Sequence, residues 1–327
     1  MTKVRVLVVV AMAALTMFSA VTPTARAAGV RYRDEVFTDI ATTKDIVYGQ
    51  AVDHLGEMQT LRLDVHEPAG DTAPLRAAVV WVHGGYFRRG TKEDYSGTWK
   101  QFARAGYVTV AINYRLNPTT PEAVDQVVLT GQLDSYIDTV RDAQHDAQAA
   151  IRWVRAHAVE LRVDPEKVII AGHSAGGLTT NMVAFNDHDP GTSGNPGYSS
   201  RPAAAVAMAG GSLPVKMVNV DPGEPPFLVV HGLADLVVPY VAAPPSCLAT
   251  IALLNVCEQV IDPDQDHDTF GTAEIRDFLY RWVITRPGLQ IPTKLTVVGL
   301  DSVIQSAVPP GVLPPGVVPP IPSVVIP

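Results

Sequence analysis

The sequence predicts an α/β fold: a mostly parallel eight-stranded sheet flanked by helices, with a small lid segment. Three observations predict it. Several apolar runs are continuous rather than alternating, the pattern of strands covered on both faces. Helix-compatible stretches separate them, so strand and helix alternate along the chain. One run, residues 167–171, leads directly into Gly172-His173-Ser174-Ala175-Gly176, a pattern of strand, tight turn and helix.

The elements follow in order. Residues 45–48 and 60–65 alternate in polarity and are expected as edge strands. Continuous apolar runs follow at 77–82, 108–112, 168–170, 204–208 and 227–230, and a last strand is expected near 258–261. Helices are predicted at 100–105, 138–158, 177–185 and 273–281. In the second of these, Val140, Ala147, Ile151 and Val154 recur at helical spacing. Asp164-Pro165-Glu166 reads as the turn into the strand before Ser174.

The two ends differ from this body. Residues 1–28 begin with Lys3 and Arg5, continue through an uncharged apolar stretch from Val6 to Val21, and close with Ala25-Arg26-Ala27, the pattern of a secretory signal. The stretch is short for a membrane span, which takes about 20 apolar residues. A secreted or envelope-associated protein is expected. Without Lys3, Arg5 and Arg26, 22 basic residues would face 33 acidic ones, a net charge of −11. Such an acidic body argues against nucleic acid as a partner. Cys247 and Cys257, an even pair in an exported chain, are expected to form a disulfide. Residues 289–327, with a rough Pro-Pro-Gly-Val repeat from Val308 on, are read as an extended or disordered tail, a candidate for envelope contact. The folded domain is therefore placed at 29–288.

In a sheet of this kind, reactive groups gather at the carboxyl ends of the strands. His83-Gly84-Gly85-Tyr86 follows the third strand and Ser174 the fifth. His231-Gly232-Leu233-Ala234-Asp235 follows the seventh, and His267 lies in the acidic stretch 262–268 after the eighth. A serine on a strand-to-helix turn has a strained backbone and a raised hydroxyl, and the flanking glycines avoid collisions with the neighbouring strand and helix. These residues, together with Asn113-Tyr114-Arg115-Leu116, Gly177, Val238-Pro239 and Phe270, resemble the secreted α/β-hydrolases of the esterase/lipase group, the branch with a His-Gly-Gly oxyanion motif. The resemblance spans about residues 45–285. It implies Ser174 as nucleophile, His267 as base and Asp235 as the acid that orients it. It also implies the N–H groups of Gly84, Gly85 and Ala175 as an oxyanion hole.

Other roles are weighed beside these. Asp262 and Asp264 compete with Asp235 as the acid. Asp266 and Asp268 flank His267 and would favour its charged form. Asp262, Asp264 and Asp266 match the opening of a calcium loop, but position six is His267 rather than Gly. No metal and no cofactor is expected. His83, His173 and His231 are read as scaffold bonded to local backbone, and His54, His66, His145, His157 and His188 as surface residues. Tyr86, Phe87 and Trp99 are candidates to line a substrate pocket. Arg88 and Arg89 could meet an anionic substrate, though a solvated loop is the plainer expectation. Residues 117–132 are read as a short lid. The expected activity is hydrolysis of small to medium carboxylic esters through an acyl-enzyme. The alternatives are a polysaccharide deacetylase or feruloyl-type esterase, a peptidase or amidase on the same triad, or a non-catalytic binding protein.

Overall fold

The computed structural model describes residues 29–121, 129–211, 220–285 and 295–297. The expected signal at 1–28, residues 122–128 of the lid segment and most of the tail lie outside them.

The described chain forms β1 (Ile40–Val52), β2 (Met58–Pro68), β3 (Arg76–Val82), α1 (Ser96–Ala105), β4 (Val108–Ile112), α2 (Leu133–Ala156) and β5 (Val163–His173). It continues through α3 (Ala175–Phe185), β6 (Ala205–Met208), β7 (Phe227–Gly232), α4 (Pro244–Ala252), β8 (Cys257–Asp262), α5 (Thr272–Leu279) and β9 (Leu295–Val297). Among the described residues the sheet has nine strands, in the order β1-β2-β4-β3-β5-β6-β7-β8-β9. The β1–β2 and β2–β4 pairs are antiparallel and all the others parallel.

The continuous apolar runs divide their side chains between two cores. In β3, Ala78, Val80 and Val82 face one core, which takes in Val140, Ala147 and Ile151 of α2 and Val183 of α3. Ala77, Val79 and Trp81 face the other, with Phe102 of α1 and Ile275 and Phe278 of α5. Strand β5 divides likewise, Val168 and Ile170 against Ile169 and Ala171. An alternation of period two with both faces buried is what erases the polar positions from the sequence. No helix among the described residues is long and apolar enough to cross a membrane.

Three expectations need correction. The chain contributes a strand past residue 288: β9 pairs with β8 from Gln259↔Leu295 to Ile261↔Val297. Leu295-Thr296-Val297 suits a strand, and the proline-rich composition after it hid the signal. The Asp164 turn lies inside β5 rather than before it. Val163 pairs with Arg76, and a register shift separates that pair from Ala78↔Val168. Asp164 Oδ1 accepts the Glu166 N–H there, so the turn survives as a local irregularity. Helix α2 starts at Leu133, five residues before the predicted start at 138 and directly after the segment read as a lid. The expected disulfide is present: Cys247 of α4 is bonded to Cys257 at the start of β8, with Cα atoms 5.5 Å apart.

Candidate active site

Ser174 sits between β5 and α3 with φ 57° and ψ −118°, a conformation that costs an L-residue of the order of 1–3 kcal/mol and persists only where its surroundings enforce it. Here they do. The Ser174 N–H donates to the Met208 carbonyl (2.9 Å), and its carbonyl accepts the Leu178 N–H (3.0 Å). A Cβ on Gly176 would lie 2.1 Å from the Val82 carbonyl oxygen of β3, and one on Gly172 would lie 2.3 Å from the Gly176 oxygen at the start of α3. Strand and helix therefore meet at van der Waals range only because both positions are glycine.

His267 and Asp235 converge on this turn. Ser174 Oγ is 2.9 Å from His267 Nε2, and His267 Nδ1 is 2.9 Å from Asp235 Oδ2. An ionised carboxylate only accepts, so the Asp235 contact places a proton on Nδ1 and leaves Nε2 to accept the serine hydroxyl. Asp235 is buried, and its other oxygen accepts the N–H groups of Val237 and Val238, both at 2.9 Å. His231 Nε2 lies 3.2 Å from Asp235 Oδ2 and 2.8 Å from the Val238 carbonyl. His267 Nδ1 is thus bonded to Asp235 and not to its rivals Asp262 and Asp264; Asp262 accepts the Asp264 N–H, and Asp266 that of Asp268. Their carboxylates serve turn geometry there, and no group of three metal-ligating side chains occurs among the described residues.

The turn after β3 closes the other side. Gly84 packs so near that an added Cβ would be 3.1 Å from Ser174 Cβ, and Gly85 has φ 113°. Tyr86 and Phe87 follow with φ 60° and 61°, a left-handed pair that curls the main chain around the serine. His83 fixes the curl by donating Nδ1–H to the Gly84 carbonyl (2.7 Å). The stretch after β4 braces it: Tyr114 stacks on His83, donates its hydroxyl to the His83 carbonyl (3.1 Å), and the Asn117 N–H donates to Phe87 (2.8 Å). Arg115, between them, is held by Asp146 and Asp142 of α2. Ala175, first residue of α3, has an N–H with no acceptor within its own helix.

Two cavities open from Ser174. One, of about 410 Å³, is lined by Gly84, Gly85, Tyr95 and His267 together with the charged side chains Arg89 and Asp94. The other, of about 30 Å³, is apolar and is lined by Phe87, Tyr136, Leu178, Val237, Val238 and Pro121. Tyr86 borders both. A further cavity of about 600 Å³ near Arg115 touches the first only at Gly90 and holds no triad residue.

Tyr86 and Phe87 thus stand where the sequence places them, while Trp99 does not. It is buried in α1 on the second core and stacks on His66 (ring centroids 3.8 Å apart). The helix after the oxyanion turn carries it to the opposite face of the sheet. His66 is accordingly buried rather than on the surface. His173 bonds to a residue 94 positions away, not to local backbone (Nε2 to the His267 carbonyl, 2.7 Å). The lining residues Tyr136, Leu178 and Val238 come from three separated segments, and no local pattern announces them. Pro121, from the segment read as a lid, does reach the apolar cavity.

Comparisons with known proteins point to the same fold. A model described as the carboxylesterase family matches residues 38–194, which include the oxyanion turn and Ser174 and end before Asp235 and His267. A probable carboxylic ester hydrolase of Mycobacterium tuberculosis, LipM, is 27% identical over 258 residues, 66% of this chain and 53% of its own. The esterase LipI of the same organism is 30% identical over 148 residues, covering 41% of each chain. The chain thus spans about half the length, or less, of the curated relatives it matches. Among solved structures, the propionate-bound thermophilic esterase of Thermogutta terrifontis superposes with a TM-score of 0.59 at 26% identity, over 75% of this chain and 96% of that one. By its sheet, its strand-to-helix turn at Ser174 and these comparisons, the chain has the α/β-hydrolase fold and is similar to esterases and lipases.

Proposed function

We propose that the protein hydrolyses carboxylic esters of short acyl chains through an acyl-enzyme on Ser174. The observation that carries this reading is the unbroken line Ser174 Oγ, His267 Nε2, His267 Nδ1, Asp235 Oδ2, with each contact at 2.9 Å.

An alcohol is a weak nucleophile at neutral pH, and a base within hydrogen-bond reach corrects that. As Ser174 Oγ attacks the ester carbonyl carbon, its proton passes to His267 Nε2. The imidazolium that forms is stabilised by Asp235, which keeps the ring in the required tautomer. Charge developing on the carbonyl oxygen is received by the N–H groups of Gly84, Gly85 and Ala175, the last at the amino end of α3, where the helix dipole adds to it. The C–O bond then breaks, and His267 returns the proton to the leaving alkoxide. A water molecule repeats the sequence on the acyl-enzyme, giving up its proton to His267. The carboxylic acid leaves and Ser174 regains its hydrogen.

The two cavities divide the ester between them. The apolar one suits the acyl chain. At about 30 Å³ it is much the smaller of the two. The larger one lies on the His267 side, where the alcohol departs. The structural relative with propionate bound, and the same enzyme with butyrate bound, support a short acyl group. Export is part of the reading, supported by the pattern of residues 1–28 and by a disulfide of the kind that persists in oxidising compartments. In a p-nitrophenyl ester series, kcat/KM should peak at two to four acyl carbons. A peak at ten or more carbons would contradict the acyl assignment. Faster turnover of the matching anilide than of the ester would favour an amidase.

A further inference from the structure

The residue before the nucleophile is an imidazole that acyl transfer does not use. His173 ends β5, its ring is fully buried, and it packs on Tyr95 and Phe270 with centroids 4.7 Å from each and 5.0 Å from the His267 ring. Its Nε2 lies 2.7 Å from the main-chain carbonyl oxygen of His267. A carbonyl carries no proton, so Nε2 must be the donor and the ring is in its Nε2–H form. Nδ1 is buried and makes no hydrogen bond. Burial also pushes the ring down to about 4, which keeps it uncharged in neutral solution.

The loop that carries His267 is otherwise fastened from the side of β7. The Leu233 N–H donates to Asp262 and the Ala234 N–H to Gln265, both at 3.0 Å. Those bonds hold the loop beside the acid. They leave its distance from the serine to be set elsewhere, and His267 itself is partly open to solvent. The His173 bond ties the base residue to the strand end that bears the nucleophile.

We propose that His173 is a positioning residue whose Nε2–H bond to the His267 carbonyl fixes the base against the nucleophile turn. The proposal rests on the ester hydrolase reading. A loosened base does not weaken binding of the ester but reduces the time spent at reacting distance, and a misplacement of about 1 Å can cost of the order of 10² in rate. The effect should therefore fall on kcat and spare KM.

Two substitutions separate the bond from the packing. His173→Phe keeps a ring against Tyr95 and Phe270 but removes the donor. His173→Gln puts an N–H the same number of bonds from the main chain. With p-nitrophenyl butyrate, His173→Phe should lose roughly 10²-fold in kcat at unchanged KM, and His173→Gln should recover most of it. Wild-type kcat in His173→Phe overturns the proposal. So does a His173→Gln variant as slow as His173→Phe when both melt with the wild type. Nitrogen-15 spectra of the wild-type histidine rings give a test that needs no variant: His173 should show a neutral Nε2–H ring at pH 7, and an Nδ1–H or charged ring there overturns the proposal. Wild-type protein that turns over no ester sinks the ester reading instead, and the spectra still decide the hydrogen bond.

Discussion

The two ends of the parallel strands are held by different chemistry. At the amino ends the chain uses charge and a covalent bond. Arg31 grips Asp71 in a bidentate pair (2.8 and 2.6 Å), buried Arg76 meets Glu67 and the Leu161 carbonyl, and Cys257 at the start of β8 is bridged to α4. At the carboxyl ends, β3, β5 and β7 lead into neutral histidines, while the stretch after β4 carries Arg115 paired with Asp142 and Asp146. His83 bonds the Gly84 carbonyl, His173 that of His267, and His231 that of Val238. Burial pushes all three imidazoles down, so they are uncharged near neutral pH. The difference teaches how a sheet can be rigid at both ends and reactive at one. Fixed cations beside the triad would compete for Asp235 and oppose a second positive charge on His267. Uncharged N–H donors hold the loops without either effect.

The largest way to break the carboxyl end is to remove the proposed nucleophile. Ser174→Ala should lower kcat for p-nitrophenyl butyrate by about 10⁶-fold while leaving the thermal midpoint near or above that of the wild type, because the strained turn loses nothing it depends on. Next is Asp235→Asn. The amide can donate toward His267 Nδ1 and so favour the wrong tautomer, which costs about 10⁴ in kcat. A variant at wild-type rate would return the acid role to Asp262 or Asp264.

Breaking the amino end should do the reverse. Cys247→Ala with Cys257→Ala opens a loop of ten residues, worth about 2–3 kcal/mol in the loop-entropy model. Denaturation midpoints should fall while kcat stays within about twofold, since the bridge lies at the other end of β8 from His267. A large loss of activity at unchanged stability would contradict the division between the ends.

A further effect is in pH. His173 and His66 are both pushed down to about 4, His173 by burial and His66 by burial together with Lys100, Lys44 and Lys92. An unfolded histidine takes up its proton near 6.5, so between that value and about 4 the unfolded chain binds more protons than the folded one. Stability is then fully present above pH 6.5 and is lost as pH falls toward 4. From pH 7 to pH 5 each residue should cost about 2 kcal/mol, read from urea midpoints. His66→Gln should flatten that slope, and a midpoint unchanged across the range would show that these rings are not held neutral.

The same contrast explains what could be read from residues alone. The sheet was legible because strands covered on both faces are continuous apolar runs, and β3, β4, β5 and β7 lie where those runs are. The triad was legible because Ser174, Asp235 and His267 each follow such a run. What the sequence hid is non-local. Trp99 follows the oxyanion turn closely, yet α1 swings it into the far core. The His173 bond joins positions 94 apart, and the apolar cavity draws Tyr136, Leu178 and Val238 from separate elements. β9 is only three residues long, too short to stand out beside the proline-rich composition that follows it. A pattern of period two or 3.6 cannot report which distant loop folds over which strand end.

The central claim is tested most directly by trapping the intermediate. Folded protein mixed with p-nitrophenyl butyrate in a rapid-mixing instrument should release a burst of nitrophenol equal to the enzyme present. Mass spectrometry of the acid-quenched sample should find the butyryl group on the peptide that contains Ser174. Hydrolysis with no burst and no acyl group on that peptide, or the label on another residue, would contradict the account.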